Sequence, residues 1–99
     1  MLNSKQRAMI KKHMAQEPAI CFVGKEGLSE NCIISITQAL TAREAVKIAV
    51  LQNCDLSARE IADEIEKTIK ADIVSVMGKK IIAYKYSAHA KKHIDISCQ

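Results

Sequence analysis

The chain is poor in the residues that several common protein classes require. Its 99 residues include no tryptophan, one proline and three glycines, and its aromatic residues are two tyrosines and one phenylalanine. No apolar run approaches the ~20 residues that a membrane-spanning helix needs, and residues 1–7 lack the apolar region and cleavage site of a signal peptide. We therefore expect a cytoplasmic protein with a single domain over residues 1–99, ending in an irregular tail over residues 87–99.

Motifs typical of metal, nucleotide and catalytic sites are also missing. The four cysteines form no CxxC pair and match no zinc spacing, so free thiols are expected. The chain contains neither the GxxxxGK phosphate loop nor the GxGxxG dinucleotide fingerprint. His13 recurs with apolar residues in the first helix, which is typical of a packing histidine, and His89 and His93 lie in the basic tail. The sequence therefore predicts no catalysis, no metal and no cofactor.

The charges are distributed unevenly along the chain. The net charge is +4, but the segment from Asp55 to Asp72 contains six acids and three bases and sums to −3. The remainder therefore sums to +7. One acidic helix on an otherwise basic molecule favours an anionic partner on one side of the protein.

The spacing of apolar residues predicts the element order α-β-α-β-α-β-β. Helices are expected over 4–16 and 29–41 and after a capping box at Ser57–Glu60, and strands over 19–23, 45–51, 73–77 and 80–85. A helix between the first two strands makes them parallel, whereas the two-residue turn at Gly78 and Lys79 makes the last two an antiparallel hairpin. We predict an α/β fold: a two-layer sandwich with helices packed on a mixed four-stranded sheet.

The loop Gly24-Lys25-Glu26-Gly27 lies between a predicted strand and a predicted helix. Two glycines allow a tight turn that exposes backbone N–H groups, and the helix adds partial positive charge at its first turn. A GxxG loop that clamps a nucleic-acid backbone is the device of KH domains. The alternative is that the glycines only permit a tight turn from strand to helix.

Basic residues come from several elements of the predicted fold besides this loop. They could outline a phosphate-binding surface or be scattered solubilising charges. The candidates besides Lys25 are Lys5, Lys11, Lys12, Arg43, Lys47, Lys79, Lys80 and Lys85. Aromatic residues are few. Phe22 is predicted in the core, and Tyr84 and Tyr86 are expected to pack in the sheet, with stacking of either tyrosine on a base as the alternative. We therefore expect recognition of backbone and shape more than of base sequence.

Several blocks of the sequence together resemble the YhbY-type CRM domain. They are Val23–Glu30, Gln38–Leu40, Arg43–Glu44, Val46–Lys47, Val50–Asn53, Met77–Lys79 and Ala83–Lys85, in the family's order and spacing. The resemblance covers residues 2–86 and implies the family's α-β-α-β-α-β-β fold, which is similar to the C-terminal domain of bacterial initiation factor three. It also implies that the family's GxxG motif maps onto Gly24 and Gly27. This chain departs from the family at Ala49, where a second lysine is frequent, and contains an acid, Glu26, inside the loop.

The resemblance leads to an expected function, and two alternatives stay open. Free-standing bacterial members associate with precursors of the large ribosomal subunit, so we expect an RNA-binding protein of ribosome assembly, with ribosomal proteins as further candidate partners. One alternative is a general nucleic-acid-coating protein resembling the archaeal Alba proteins. The other is a protein-interaction adaptor that docks through the acidic third helix.

Overall fold

The computed structural model describes residues 4–85 and confirms the predicted element order. The elements are α1 Ser4–Met14, β1 Cys21–Val23, α2 Glu30–Arg43, β2 Ala45–Val50, α3 Ala58–Ile69, β3 Asp72–Met77 and β4 Lys80–Tyr84. The element ends differ from the predicted ones by at most two residues, and α1 stops before Pro18 as expected. None of the helices within residues 4–85 has the length and apolar character needed to cross a membrane.

Two serines fix the starts of the second and third helices. The Ser29 hydroxyl accepts the Cys32 N–H at 3.3 Å, and the Ser57 hydroxyl accepts the Glu60 N–H at 3.2 Å. Each bond satisfies a backbone donor that has no partner within its helix. Ser57 is the cap of the predicted capping box, and Ser29 lies at the predicted start of the second helix, so the position at which α2 begins after the GxxG loop is set locally.

The sheet has the order β1-β2-β4-β3. β1 runs parallel to β2, and β4 pairs antiparallel with both β2 and β3. Gly78 has φ +57° at the first position of the β3–β4 turn, which fits a type II′ turn in the predicted hairpin. The predicted α/β class and mixed four-stranded sheet are therefore confirmed.

The number of layers differs from the prediction. α2 and α3 cover one face, where Ile36 and Ile65 pack with Val46, Ile48 and other buried residues. α1 packs in a separate cluster against side chains that alternate to the opposite face, namely Ala45, Ile82 and Tyr84. The fold thus has three layers and not two, because α1 packs on the face of β2 that carries the small side chain of Ala45.

Two side chains lie on the surface where the sequence predicts burial. His13 is exposed on α1, whose buried residues are Ile10 and Met14. Phe22, predicted in the core, is 56% exposed, because Cys21 and Val23 on either side of it face α2 and α3. The strand alternation therefore directs Phe22 away from the main core.

The end of α3 provides a test of local backbone strain. Lys70 terminates the helix with φ 63° and ψ 38°, in the left-handed region that favours glycine. We expect Lys70→Gly to raise the free energy of unfolding by about 1 kcal/mol because it relieves this strain. Lys67→Gly, within the helix, should instead lower it by about 1 kcal/mol. Urea denaturation measures both, and shifts in the same direction would contradict this account.

Candidate functional site

The GxxG loop is a closed backbone turn. The Gly27 N–H donates to the Gly24 carbonyl at 2.9 Å, which places Lys25 and Glu26 at the tip with exposed side chains. Gly27 has φ +69°, a conformation that glycine adopts without steric cost. The second glycine of the motif is therefore required by the backbone geometry of the turn.

The loop leaves backbone donors available beside a helix start. Within residues 4–85, the N–H groups of Lys25 and Glu26 have no hydrogen-bond acceptor, whereas the Ser29 N–H donates to the Gly27 carbonyl at 3.0 Å. α2 begins immediately afterwards at Glu30. Free N–H groups next to a helix N-terminus suit an anion such as a phosphate.

A second turn packs against the first glycine of the loop. A Cβ atom on Gly24 would lie 3.4 Å from Asn53 Oδ1 and 3.6 Å from Leu51 Cδ1. The Leu51 N–H donates to the Val23 carbonyl at 2.8 Å, which joins the ends of β1 and β2. Asn53 is not among the residues that the sequence predicts for the site. The sequence contains a signal for its position. Asn53 follows β2 and the GxxG loop follows β1, and the carboxyl ends of adjacent parallel strands lie at the same end of a sheet.

The β3–β4 turn reaches this same edge and brings two of the predicted lysines. The Val50 N–H donates to the Lys79 carbonyl at 2.7 Å, and Lys80 pairs with Ala49, which pairs with Phe22. In the part of the chain between Ser4 and Lys85, the ion pair observed is Arg59–Asp63. Lys25 is therefore not neutralised by Glu26, and the edge carries positive charge from three lysines, namely Lys25, Lys79 and Lys80.

Other predicted residues lie farther from the loop. Arg43 ends α2, whose 14 residues correspond to about 21 Å along the helix axis. Lys47 is half-buried, and its Nζ donates to the Ala15 carbonyl at 3.3 Å, so it fastens the end of α1 to the sheet. Lys11 and Lys12 lie in the last turn of α1 near this contact, whereas Lys5 lies at its start. Lys85 has a structural role, because its Nζ donates to the Ile69 carbonyl at 3.1 Å.

The described residues offer little for nucleophilic or metal chemistry. Burial raises the pKa of the Cys21 thiol, and the neighbouring Cys32 raises it further. Cys21 therefore stays protonated at neutral pH and is a poor nucleophile. From Ser4 to Lys85, no group of three or more His, Cys, Asp or Glu side chains is placed to hold a metal ion. His89, His93 and Cys98 lie outside the described residues.

Comparison with known families identifies the domain. Residues 2–85 match the family model described as the CRS1/YhbY (CRM) domain. The chain belongs to the CRM family. This CRM match contains every element of the described fold, including the GxxG loop and the closing hairpin, and it confirms the resemblance found in the sequence.

Three relatives of this CRM domain are associated by name with RNA. YqeI of Bacillus subtilis, named a probable RNA-binding protein, is 35% identical over 92 residues, covering 93% of this chain and 96% of YqeI. MJ0652 of Methanocaldococcus jannaschii, also named a probable RNA-binding protein, is 30% identical over 95 residues, covering 94% of this chain and 70% of MJ0652. The solution structure of SAV1595 from Staphylococcus aureus, described as a candidate RNA-binding protein, superimposes with a TM-score of 0.75 at 32% identity. The match covers 88% of this chain and 91% of the SAV1595 chain.

Proposed function

We propose that this CRM protein binds RNA without catalysis, associates with precursors of the large ribosomal subunit and assists their assembly in the cytoplasm. The observation that supports the proposal most strongly is the sheet edge at the GxxG loop. There, the free N–H groups of Lys25 and Glu26 lie beside the start of α2, and Lys79 and Lys80 reach the same edge. The names of the relatives point to the same class of ligand.

The proposed binding mode follows from the chemistry of this edge. A phosphate oxygen accepts the two free N–H groups, and the Lys25 ammonium neutralises its charge. Lys79 and Lys80 contact neighbouring phosphates of the same strand. Lys5, Lys11, Lys12, Arg43 and Lys47 are the candidates that extend the contact beyond the loop, with Lys47 also holding α1 in place.

A salt series tests the proposal directly. Binding of the purified protein to large-subunit ribosomal RNA fragments should weaken with salt, with log affinity falling against log salt at a slope of about −3 to −4 for roughly five phosphate contacts. Lys25→Ala should make this slope shallower by about 0.7, the contribution of one phosphate contact on a single strand. The matched control is Lys67→Ala, which removes an exposed lysine from α3 and should leave the slope unchanged.

Duplex DNA as a competitor separates this proposal from its alternatives. Preference for RNA supports the ribosomal function, whereas equal displacement by DNA would indicate a general nucleic-acid-coating protein. Affinity that does not depend on salt, or no RNA binding, would contradict the proposal. The exposed acids of α3, which include Glu60, Asp63, Glu64 and Glu66, would then be the surface to examine for a protein partner.

A further inference from the structure

One row of the sheet on the α1 side is left open by the helix. Phe22, Ala49, Lys80 and Met77 are consecutive register partners across all four strands, and we call them the open row. Phe22 is 56% exposed and Met77 52%, with the exposed Lys80 between them. Paired residues project to the same face of a sheet, so the open row presents two apolar side chains and one ammonium group together.

The position of α1 explains why this row is uncovered. The helix packs on Ala45, Ile82 and Tyr84 through Ile10 and Met14. It ends at Met14, and the bond from Lys47 Nζ to the Ala15 carbonyl marks its limit on the sheet. The open row lies beyond this limit, toward the carboxyl ends of β1 and β2. The exposed aromatic side chain of Phe22 thus lies on β1, the strand that leads directly into the GxxG loop.

The chemistry of the open row fits a nucleobase. Bases stack on aromatic rings whatever their identity, and cationic side chains beside the ring attract the adjoining phosphates. Neither the open row nor the neighbouring partners Lys47, Ile82 and Ser75 include an acidic residue. Phe22 precedes Gly24 by two residues, which is about 7 Å of extended chain. A nucleic-acid strand with one phosphate bound at the GxxG loop therefore has its neighbouring bases within reach of the Phe22 ring.

We propose that Phe22 stacks an unpaired nucleobase of the RNA strand whose phosphate is held at the GxxG loop. This inference rests on the proposed function and adds a stacking subsite to it. Lys80, two strand spacings or about 10 Å away, binds the backbone on the far side of the base. The subsite selects single-stranded RNA over duplex, because paired bases do not offer their faces. It does not select among the four bases.

Two RNA ligands isolate the stacking contribution. A ten-nucleotide uridine RNA provides bases and phosphates, and an abasic strand of the same length provides the phosphates alone. Phe22→Ala should weaken binding of the uridine strand by about 5- to 100-fold and leave the abasic strand unaffected. Its salt slope should match that of the wild type because no charge is removed. Phe22→Tyr should restore binding, since it keeps the aromatic ring.

A matched control removes another exposed apolar side chain. Ile34 on α2 is 47% exposed, so Ile34→Ala should leave binding of both strands unchanged. The absence of tryptophan from the chain also makes Phe22→Trp a unique fluorescent probe. Its emission should be quenched by the uridine strand and not by the abasic strand.

The outcomes distinguish this inference from the proposed function. If the wild type binds RNA with the expected salt slope and Phe22→Ala binds the uridine strand equally well, the stacking subsite is wrong and the proposed function stands. If Phe22→Ala weakens binding of the uridine strand and of the abasic strand equally, the stacking proposal is also wrong. If the wild type binds neither of these strands but binds large-subunit ribosomal RNA fragments, the stacking subsite is wrong and the proposed function stands; if it binds none of the three RNAs, both proposals fail. Self-association that Phe22→Ala abolishes without changing RNA affinity would make the open row an interface between two copies of the chain.

Discussion

Gly27→Val should weaken binding to large-subunit RNA by about tenfold or more while the domain stays folded at 25 °C. Gly27 has φ +69°, and a β-branched residue in this region costs about 1–3 kcal/mol. Small domains are stable by ~5–15 kcal/mol, so the fold tolerates this loss. The turn does not, because it relaxes to a negative φ and redirects the free N–H groups of Lys25 and Glu26. Tenfold in affinity corresponds to about 1.4 kcal/mol.

The matched variant at this position is Gly27→Asn. Asparagine tolerates the left-handed conformation, and among the described residues a Cβ atom here would be in ordinary contact with Leu56 Cδ1, at 3.7 Å. Gly27→Asn should therefore keep the turn and most of the affinity. Circular dichroism and thermal denaturation establish that both variants fold, and fluorescence anisotropy with labelled RNA measures binding. Wild-type affinity in a folded Gly27→Val protein would remove the loop from the mechanism.

The elements of this fold are predictable because their signals are local. Ser29 and Ser57 cap helices as their sequence neighbourhoods indicate. Helix α3 buries Ile61, Ile65 and Ile69 at the expected helical spacing. The hairpin at Gly78 depends on a turn type that two residues determine. In each case the interaction that fixes the element lies within a few residues along the chain.

The arrangement of α1 was not predictable by the same means. The strand pattern of β2 predicts that the face with Ala45 is partly wet, yet Ala45 is buried in the α1 cluster, because a small side chain is compatible with either solvent or a packed helix. The choice is made by Ile10 and Met14, which are more than 30 residues away in sequence. Phe22 shows the same limit. Its hydrophobicity predicts burial. However, β1 is the outermost strand of the sheet, and strand alternation directs the Phe22 side chain away from the main core.

The grouping of the candidate site residues was only partly predictable. The GxxG loop is visible in the sequence, and its turn has the geometry that the glycines suggest. The meeting of Lys25 with Lys79 and Lys80 depends on the strand order β1-β2-β4-β3, which places the hairpin turn beside the end of β2. That order is a long-range property of the sheet. Arg43 is predicted to extend the contact beyond the loop, and α2 carries it to the other end of the sheet.

Ile10→Ala should release α1 from the sheet while the rest of the domain stays folded. Ile10 is fully buried in a cluster whose other members are Met14, Ala45, Ile82 and Tyr84. Removing its side chain costs about 2–5 kcal/mol, and so small a cluster has few other contacts to hold the helix. α2, α3 and the sheet share a separate and larger core. We therefore expect a local opening and not global unfolding.

Amide hydrogen exchange distinguishes local from global opening. In Ile10→Ala, protection should fall over Ser4–Met14 and persist in α3 and β4. The matched control is Ile36→Ala, an equally buried position in the larger core, which should lower protection throughout residues 30–84. Loss of protection across the whole domain in Ile10→Ala would contradict the separate packing of α1.

The same Ile10→Ala variant divides the proposed RNA surface into two parts. The opening moves the three lysines of α1, namely Lys5, Lys11 and Lys12. It leaves in place the three lysines at the GxxG loop and the β3–β4 turn, namely Lys25, Lys79 and Lys80, which we call the loop edge. If the α1 lysines bind phosphates, the salt slope should become shallower by about 0.7 for each phosphate of a single strand that is no longer neutralised. The effect of Lys25→Ala on that slope should persist in the double variant. An unchanged slope would confine the interface to the loop edge and leave α1 with a structural role.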